Sequence, residues 1–351
     1  MKGILIKPKK ILETEHPKVS VVIPLYNCRN IILRAITSIK NQNMTDFEII
    51  LVNDYSKDET LSYIEEMQKK DIRIKIINNN KNMGILYSRS IGALSAKGKY
   101  IFPLDNDDMF LDYDVFDTIY NIAENDNFDI VEFKAVYSIW AEKNILERDI
   151  QENYYSSHKL NVVLSQPELG NYFLKKGNES DKFEIKDAFL WSKCIKTNLY
   201  QKGLNLFGEE RYKRYMTINE DLTIITVLFN IAESYKFVGK YGIFHIQTPE
   251  SASWYGQGET LNRLYYLYFI DTAVDFTRNT FENKKILVHL ILYMINKPQI
   301  EETLNINKCK NLFISILNRI LSCPYISQED KNIIRNQSSK FNFINYNSDL
   351  N

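Results

Sequence analysis

The sequence predicts an α/β protein, a doubly wound and mostly parallel sheet followed by a helical C-terminal extension. Three observations carry this. Short apolar runs alternate with segments of helical period through the first third of the chain. Those runs are nearly continuous instead of polar-apolar alternating, as strands buried on both faces require. Beyond about residue 258 almost everything has helical spacing.

The elements follow in order. Val19 to Leu25 (VSVVIPL) reads as a buried parallel strand closed by Pro24. From Arg29 to Gln42, apolar residues at 31, 32, 35, 36 and 39 keep helical spacing. Glu48 to Val52 is a second strand. Ser56-Lys57-Asp58-Glu59 reads as a capping box opening a helix that turns Leu61, Ile64 and Met67 inward. Ile72 to Ile77 is a third strand, and Gly84 to Lys97 a helix stopped by Gly98. Tyr100 to Leu104 is a fourth strand running into Asp105-Asn106-Asp107-Asp108. From about 129 the pattern mixes strand-like and helical pieces around Trp191, Glu220 and Asp221. The Asn-rich tail from Asn336 is expected to be loosely ordered.

Bulk properties exclude several classes. Lys plus Arg and Asp plus Glu stand at 44 each in 351 residues, so no whole-chain field draws the protein to nucleic acid. The apolar fraction of 44% is enough for a sizeable core, in two domains or one with a long appendage. Cys28, Cys194, Cys309 and Cys323 form no C-x-x-C pair, so reduced thiols in a cytosolic setting are expected. The N-terminal segment lacks an apolar run long enough for a signal peptide, and Ile286 to Ile295 is too short to span a bilayer. The expected location is cytoplasmic, with peripheral membrane contact and oligomeric state left open.

In doubly wound sheets, ligands gather outside the carboxyl ends of the strands. Tyr26-Asn27, Asp54 and the Asp105–Asp108 run follow strands one, two and four, so they are expected to converge on one crevice. Asp105, Asp107 and Asp108 put three carboxylates into four residues, where unpaired charges raise one another's pKa. A divalent cation removes that conflict and also bridges phosphates. An isolated D-x-D-D is more often an acidic turn; its place behind a buried strand reverses that preference. Asp54, at a strand tip, is placed to accept from a nucleobase N–H. Asn82 and Gly84 precede a helix carrying Ser88 and Arg89, and such an N-terminus suits phosphate or base contacts, although Gly beside Asn usually marks only a turn.

VSVVIPLYN, EIILVNDYSKDET and NMGILYSRSIGALSAKGKYIFPLDNDD, in that order and spacing, resemble the family 2 inverting glycosyltransferases of the GT-A fold. The resemblance covers Val19 to Phe110. It implies a nucleotide-sugar donor, a UDP-sugar, with Mn²⁺ or Mg²⁺, and an acceptor hydroxyl on a glycan or lipid-linked glycan. It places Pro24 and Tyr26 along the base, with Asn27 beside them in the donor site, and gives Asp54 the reading of that base. Asp105, with Asn106 beside it, falls to ribose or phosphate, and Asp107 to the metal. Asn82, Gly84 and Arg89 join the donor site. Two departures stand out: Asn53 where the family often has a first aspartate, and Ser90 where many relatives have Asn.

Downstream, DAFLWSKCIKTNLY resembles the family's W-x-K stretch and INEDL its Glu-Asp motif. Inversion needs a general base for the acceptor proton. Asp221 is the candidate, with Glu220 as helper or acceptor contact, although the same residues make an ordinary helix N-terminus. His245 lies where relatives often place a residue near the diphosphate, making it a candidate diphosphate or metal contact; a lone His after Phe244 is more often a packed residue. Ser251, Ser253 and Trp254 suit a lid or an ordinary loop. The chain then divides into a polar leader (1–17), a nucleotide-sugar-binding α/β region (18–133), an acceptor-binding region (134–257) and a helical C-terminal region (258–351). Two other readings compete. A nucleotidyltransferase wants a basic Gly-rich loop where Leu25-Tyr26-Asn27-Cys28 stands. A catalytically inactive glycosyltransferase-like scaffold is opposed by intact Asp54, Asp105, Asp107 and Asp221.

Overall fold

The computed structural model describes residues 15–139, 162–166, 174–176, 183–185, 189–247, 259–277, 281–296, 300–304, 306–341 and 344. The expected lid residues Ser251, Ser253 and Trp254, and most of the 1–17 leader, lie outside the described residues. The elements run β1 (Val19–Leu25), α1 (Ile32–Lys40), β2 (Phe47–Asn53), α2 (Thr60–Lys70), β3 (Ile74–Asn78), α3 (Ile85–Ser95), β4 (Tyr100–Pro103) and β5 (Met109–Phe110). Next come α4 (Val115–Asn125), β6 (Ile130–Ile139), β7 (Val163–Ser165), β8 (Leu174–Lys176), β9 (Phe183–Ile185) and β10 (Lys193–Lys196). After these follow α5 (Thr197–Phe207), α6 (Glu209–Tyr212), α7 (Glu220–Ile231) and β11 (Ser234–Gln247). The chain continues through α8 (Glu259–Phe276), α9 (Phe281–Ile295), α10 (Ile300–Leu304), α11 (Asn307–Ser322) and α12 (Gln328–Ser338).

Two compact units result. The first takes Met1–Val163, Leu190–Tyr215 and Ser234–Ser251; the second takes Leu164–Phe189, Met216–Glu233 and Ala252–Asn351. The first is built on a sheet of order β3-β2-β1-β4-β10-β6-β11-β5. β3, β2, β1 and β4 are mutually parallel, and every residue of β1 and β2 is buried. Beyond β4 the sheet turns mixed. β10 runs antiparallel to both β4 and β6, and β5 antiparallel to β11, while β6 and β11 are parallel. The half built from β1 to β4 is therefore parallel, as expected, and the far half carries the antiparallel strands.

Packing explains the helices. α1 buries Ile32, Ala35, Ile36 and Ile39, one face at helical spacing. The short β5 is pinned by an aromatic cluster in which Phe110 meets Phe116 edge-on at 4.8 Å, and Phe102 meets Phe116 at 5.2 Å. Three local expectations change. The Ser56–Glu59 capping box does not form: Glu59 makes no side-chain cap, and Ser56 Oγ accepts instead from Asn27 N at 3.0 Å. Gly98 does not stop α3, which ends at Ser95; a Cβ at Gly98 would lie 2.5 Å from Ser20 N, so the glycine permits close backbone approach. The third strand starts at Ile74, leaving Ile72 exposed.

The second unit is helical, with the antiparallel β8–β9 pair. Its core gathers Phe269, Ile270 and Ala273 of α8, Ile291 of α9, and Phe313, Ile316 and Leu317 of α11. Within the apolar 286–295 stretch, Leu287, Val288, Leu290, Ile291, Met294 and Ile295 are buried along α9, while Tyr293 is exposed. Of the tail expected from Asn336, the described start is ordered: α12 runs through Asn336 to Ser338, and Phe341 is buried against Phe313 at 5.6 Å, while residues 342–343 and 345–351 lie outside the described residues. Ser327 Oγ caps α12 by accepting from Asp330 N at 3.0 Å. Among the described residues no helix is long and apolar enough to cross a membrane.

Candidate functional site

β2, β1 and β4 are neighbours and parallel, so their carboxyl ends share one edge of the sheet. The backbone ties them together there: Asp54 N donates to Leu25 O at 2.8 Å, Leu104 N to Val22 O at 3.0 Å, and Asn106 Nδ2 to Pro24 O at 3.2 Å. Segments far apart in the sequence thus meet at one edge, as expected.

Asp54 is buried and takes three donors. Its Oδ1 accepts from Asn79 Nδ2 and Met83 N, and its Oδ2 from Gly84 N, all at 2.8 Å. Gly84 has φ 85°, a left-handed conformation that favours glycine and turns its N–H onto the carboxylate. Asn82 Oδ1 also accepts from Gly84 N at 3.1 Å, so Asn82 shapes the turn that opens α3. Asn79 Nδ2 also reaches Ser88 Oγ at 3.1 Å, and the next residue, buried Arg89, donates from NH2 to Asp105 Oδ1 at 2.7 Å. α3 therefore ties the Asp54 pocket to the acidic loop.

Asn27 sits at φ 49°; its N–H donates to Ser56 Oγ, and its Oδ1 accepts from Lys57 N at 2.8 Å. That exchange locks the β1 loop to the β2 loop and leaves the rings of Tyr26 and Tyr55 outside, 46% and 41% exposed. Tyr215, beyond α6, is 47% exposed. Burial first, then the charge of Asp54 and the neighbouring Tyr26, push the Tyr215 hydroxyl above its ordinary pKa. α6 reaches α3 through a Tyr87–Tyr212 ring contact at 6.2 Å.

In the acidic loop, one ligand oxygen each of Asp105, Asp107 and Asp108 lies within 4.8 Å of the others. Asp108 is fully buried. Its two oxygens lie 2.8 and 3.0 Å from His245 Nδ1, and Oδ1 also accepts from Ile246 N at 3.1 Å. Burial pushes the Asp108 carboxyl up, against the pull of His245. Burial alone would lower His245, but the Asp108 charge and hydrogen bond, with Asp105 and Asp107 beyond, hold it at about 9. β5 carries the loop against β11 through the Ile243–Phe110 register, which is why these two residues meet. Hard carboxylate oxygens at this spacing suit Mg²⁺ or Mn²⁺. With Asp108 engaged by His245, Asp105 and Asp107 are the half-buried pair facing outward.

Pro24, Tyr26, Asn27, Asp54, Asn82, Gly84, Arg89, Asp105, Asn106, Asp107 and His245 thus all belong to the first unit. Glu220 and Asp221 form the first turn of α7, in the second unit, after Asn219 at φ 62°. Sequence reasoning missed Asn79, whose signal was its place just past the third strand, and noted Trp191 without a role; its ring stacks on His245 with centroids 4.9 Å apart.

Residues 20–179 match the glycosyl transferase family 2 model. An uncharacterized glycosyltransferase of Haemophilus influenzae is 27% identical over 338 residues, covering 95% of this chain and 92% of its own. The GalNAc(5)-diNAcBac-PP-undecaprenol beta-1,3-glucosyltransferase of Campylobacter jejuni is 40% identical over 96 residues, 27% of this chain and 31% of that one. Among solved structures, S. aureus TarS 1-349 in complex with UDP-GlcNAc superposes with a TM-score of 0.61 at 14% identity, covering 92% of this chain and 88% of that one. At that identity the likeness shows the fold, which is GT-A.

Proposed function

Since this chain is a glycosyltransferase with a family 2 domain over residues 20–179, we propose that it transfers a sugar from a UDP-sugar to an acceptor hydroxyl with inversion. The observation that carries the reading is the gathering of Asp105 and Asp107 with the Asp54 pocket at the ends of adjacent parallel strands. Support for the donor comes from the similar fold of TarS, whose complexes hold UDP and UDP-GlcNAc. Support for a glycan or lipid-linked acceptor comes from the undecaprenol-linked substrate in the Campylobacter relative's name.

In this reading Tyr26 stacks on the uracil, and Asp54, fixed by Asn79, Met83 and Gly84, accepts from the base N–H. Arg89 holds Asp105 toward ribose or phosphate. Asp105 and Asp107 would hold a divalent cation, which when bound neutralises charge on the diphosphate. Asp221 takes the acceptor proton, with Glu220 beside it, while the acceptor oxygen bonds to the anomeric carbon. The bond from that carbon to the diphosphate breaks with its electron pair, releasing UDP. A carboxylate base contributes ~10²–10⁴-fold to such a step.

The test is thermal stabilisation by UDP with Mn²⁺, together with UDP release from a panel of UDP-sugars. Wild-type protein is expected to be stabilised, and Asp107→Ala to lose the metal-dependent part. An unchanged response in Asp107→Ala would remove the metal assignment. Donor binding without any transfer or hydrolysis would favour the inactive-scaffold reading.

A further inference from the structure

The W-x-K stretch is left without a role by the donor site just described. Its two ends are engaged differently. Lys193 is fully buried, with Nζ 3.2 Å from Glu132 Oε2, and Tyr235 donates its hydroxyl to the same oxygen at 2.8 Å. Lys193 and Glu132 are also partners in the β10–β6 register. This buried group fastens β10 to β6 and β11. Trp191, two residues earlier, is buried and lays its indole on His245, with ring planes 9° apart.

His245 is thereby held in two ways. The stack fixes the tilt of the imidazole plane, and Asp108 at Nδ1 fixes the rotation of the ring within it. With Nδ1 given to Asp108, contact of this ring with a donor diphosphate goes through Nε2. Simple burial would not require this arrangement, because any apolar neighbour could cover Trp191. A fully buried carboxylate such as Asp108 is costly unless its partners fix it. A ring oriented from both its face and its edge is the arrangement by which supporting residues tune a contact group.

We propose that Trp191 and Asp108 are positioning residues that orient His245 toward the leaving diphosphate, with Lys193 anchoring Trp191 to the sheet. The inference rests on the donor site of the proposed function and adds residues acting through His245.

A double-mutant cycle on metal-dependent UDP release from UDP-glucose, UDP-galactose and UDP-N-acetylglucosamine tests it, using whichever donor wild-type protein turns over. Trp191→Phe keeps a planar ring and is expected to stay within about threefold of wild type in kcat/KM. Trp191→Met keeps bulk without a ring and is expected to lose about tenfold or more. In a His245→Gln background, which removes the Nδ1 contact, the same Trp191→Met change is expected to cost about twofold or less. An equal loss in both backgrounds would overturn the proposal, because Trp191 would then act through packing alone. Should Trp191→Met fail to fold, the cycle of Asp108→Asn with His245→Gln decides by the same criterion. Wild-type protein that neither binds UDP nor releases it would instead sink the donor reading itself.

Discussion

Replacing Asp54 by Asn changes one atom in a pocket where every neighbour is a donor. Asn79 Nδ2, Met83 N and Gly84 N all point at the carboxylate at 2.8 Å. The amide oxygen of the variant can serve the first two, which leaves its NH2 against the Gly84 N–H. One hydrogen bond to a charged group is lost, ~1.5–3 kcal/mol, and a buried N–H is set against a donor. Gly84 N retains the Asn82 Oδ1 acceptor at 3.1 Å, so the cost falls toward the low end, about 2 kcal/mol. Amide hydrogen exchange reads this locally. Met83 and Gly84 are expected to exchange about 30-fold faster in Asp54→Asn, since 1.4 kcal/mol is a factor of ten. UDP affinity is expected to fall with it, by at least about tenfold, because the base N–H would meet an NH2 group. Unchanged protection at Met83 and Gly84 would refute the clamp. Unchanged UDP affinity alongside faster exchange would refute the base-reading role and leave Asp54 as a loop anchor.

The other predictions concern separate residues. Tyr26→Ala is expected to weaken UDP by about fivefold or more, a stacking loss of ~1 kcal/mol, measured by titration calorimetry; an unchanged dissociation constant would take Tyr26 off the base. Asp221→Asn is expected to hold UDP within about twofold and to lose transfer ~10²–10⁴-fold, so substantial residual transfer would remove it as the base. Asp71 is buried, which pushes its carboxyl up, but Arg73, at 3.0 Å from Oδ1 and 2.8 Å from Oδ2, prevails and lowers it from 3.8. Its folded pKa lies below the unfolded one, so its stabilisation is present above 3.8 and is lost as pH falls through the folded value. Asp71→Asn should therefore flatten acid unfolding of the first unit by up to one proton, ~1.4 kcal/mol per pH unit, and an identical acid profile would sink that assignment.

Much of the donor half was legible because its signals are local. A parallel strand covered on both faces must be nearly continuously apolar, and VSVVIPL and FEIILVN are, with the buried Ser20 donating to Glu48 at 2.6 Å. The residue after such a strand sits at the sheet edge, so Asp54 and Asp105 could be placed by counting. Capping was less legible. Ser56 and Glu59 have the spacing of a box, yet Asn27, some thirty residues away, competes for the serine hydroxyl. Gly98 shows the same limit, since a glycine needed for close approach to Ser20 looks in sequence like one that ends a helix.

The sequence by itself determined that the N-terminal strands are parallel and buried on both faces, which residues stand at their tips, and the resemblance its motifs carry, because these follow from periodicity and motif spacing along the chain. Tertiary structure decided which of those residues support one another: Asn79 on Asp54, Arg89 on Asp105, and Asp108 with Trp191 on His245. The first pair comes from β3 lying beside β2, the second from α3 packing beside the parallel strands, and the His245 contacts from how β5, β10 and β11 close the far half of the sheet. Antiparallel register joins residues distant in the chain, such as Ile243 with Phe110 and Ile195 with Ile101, and no pattern within a single segment records its partner.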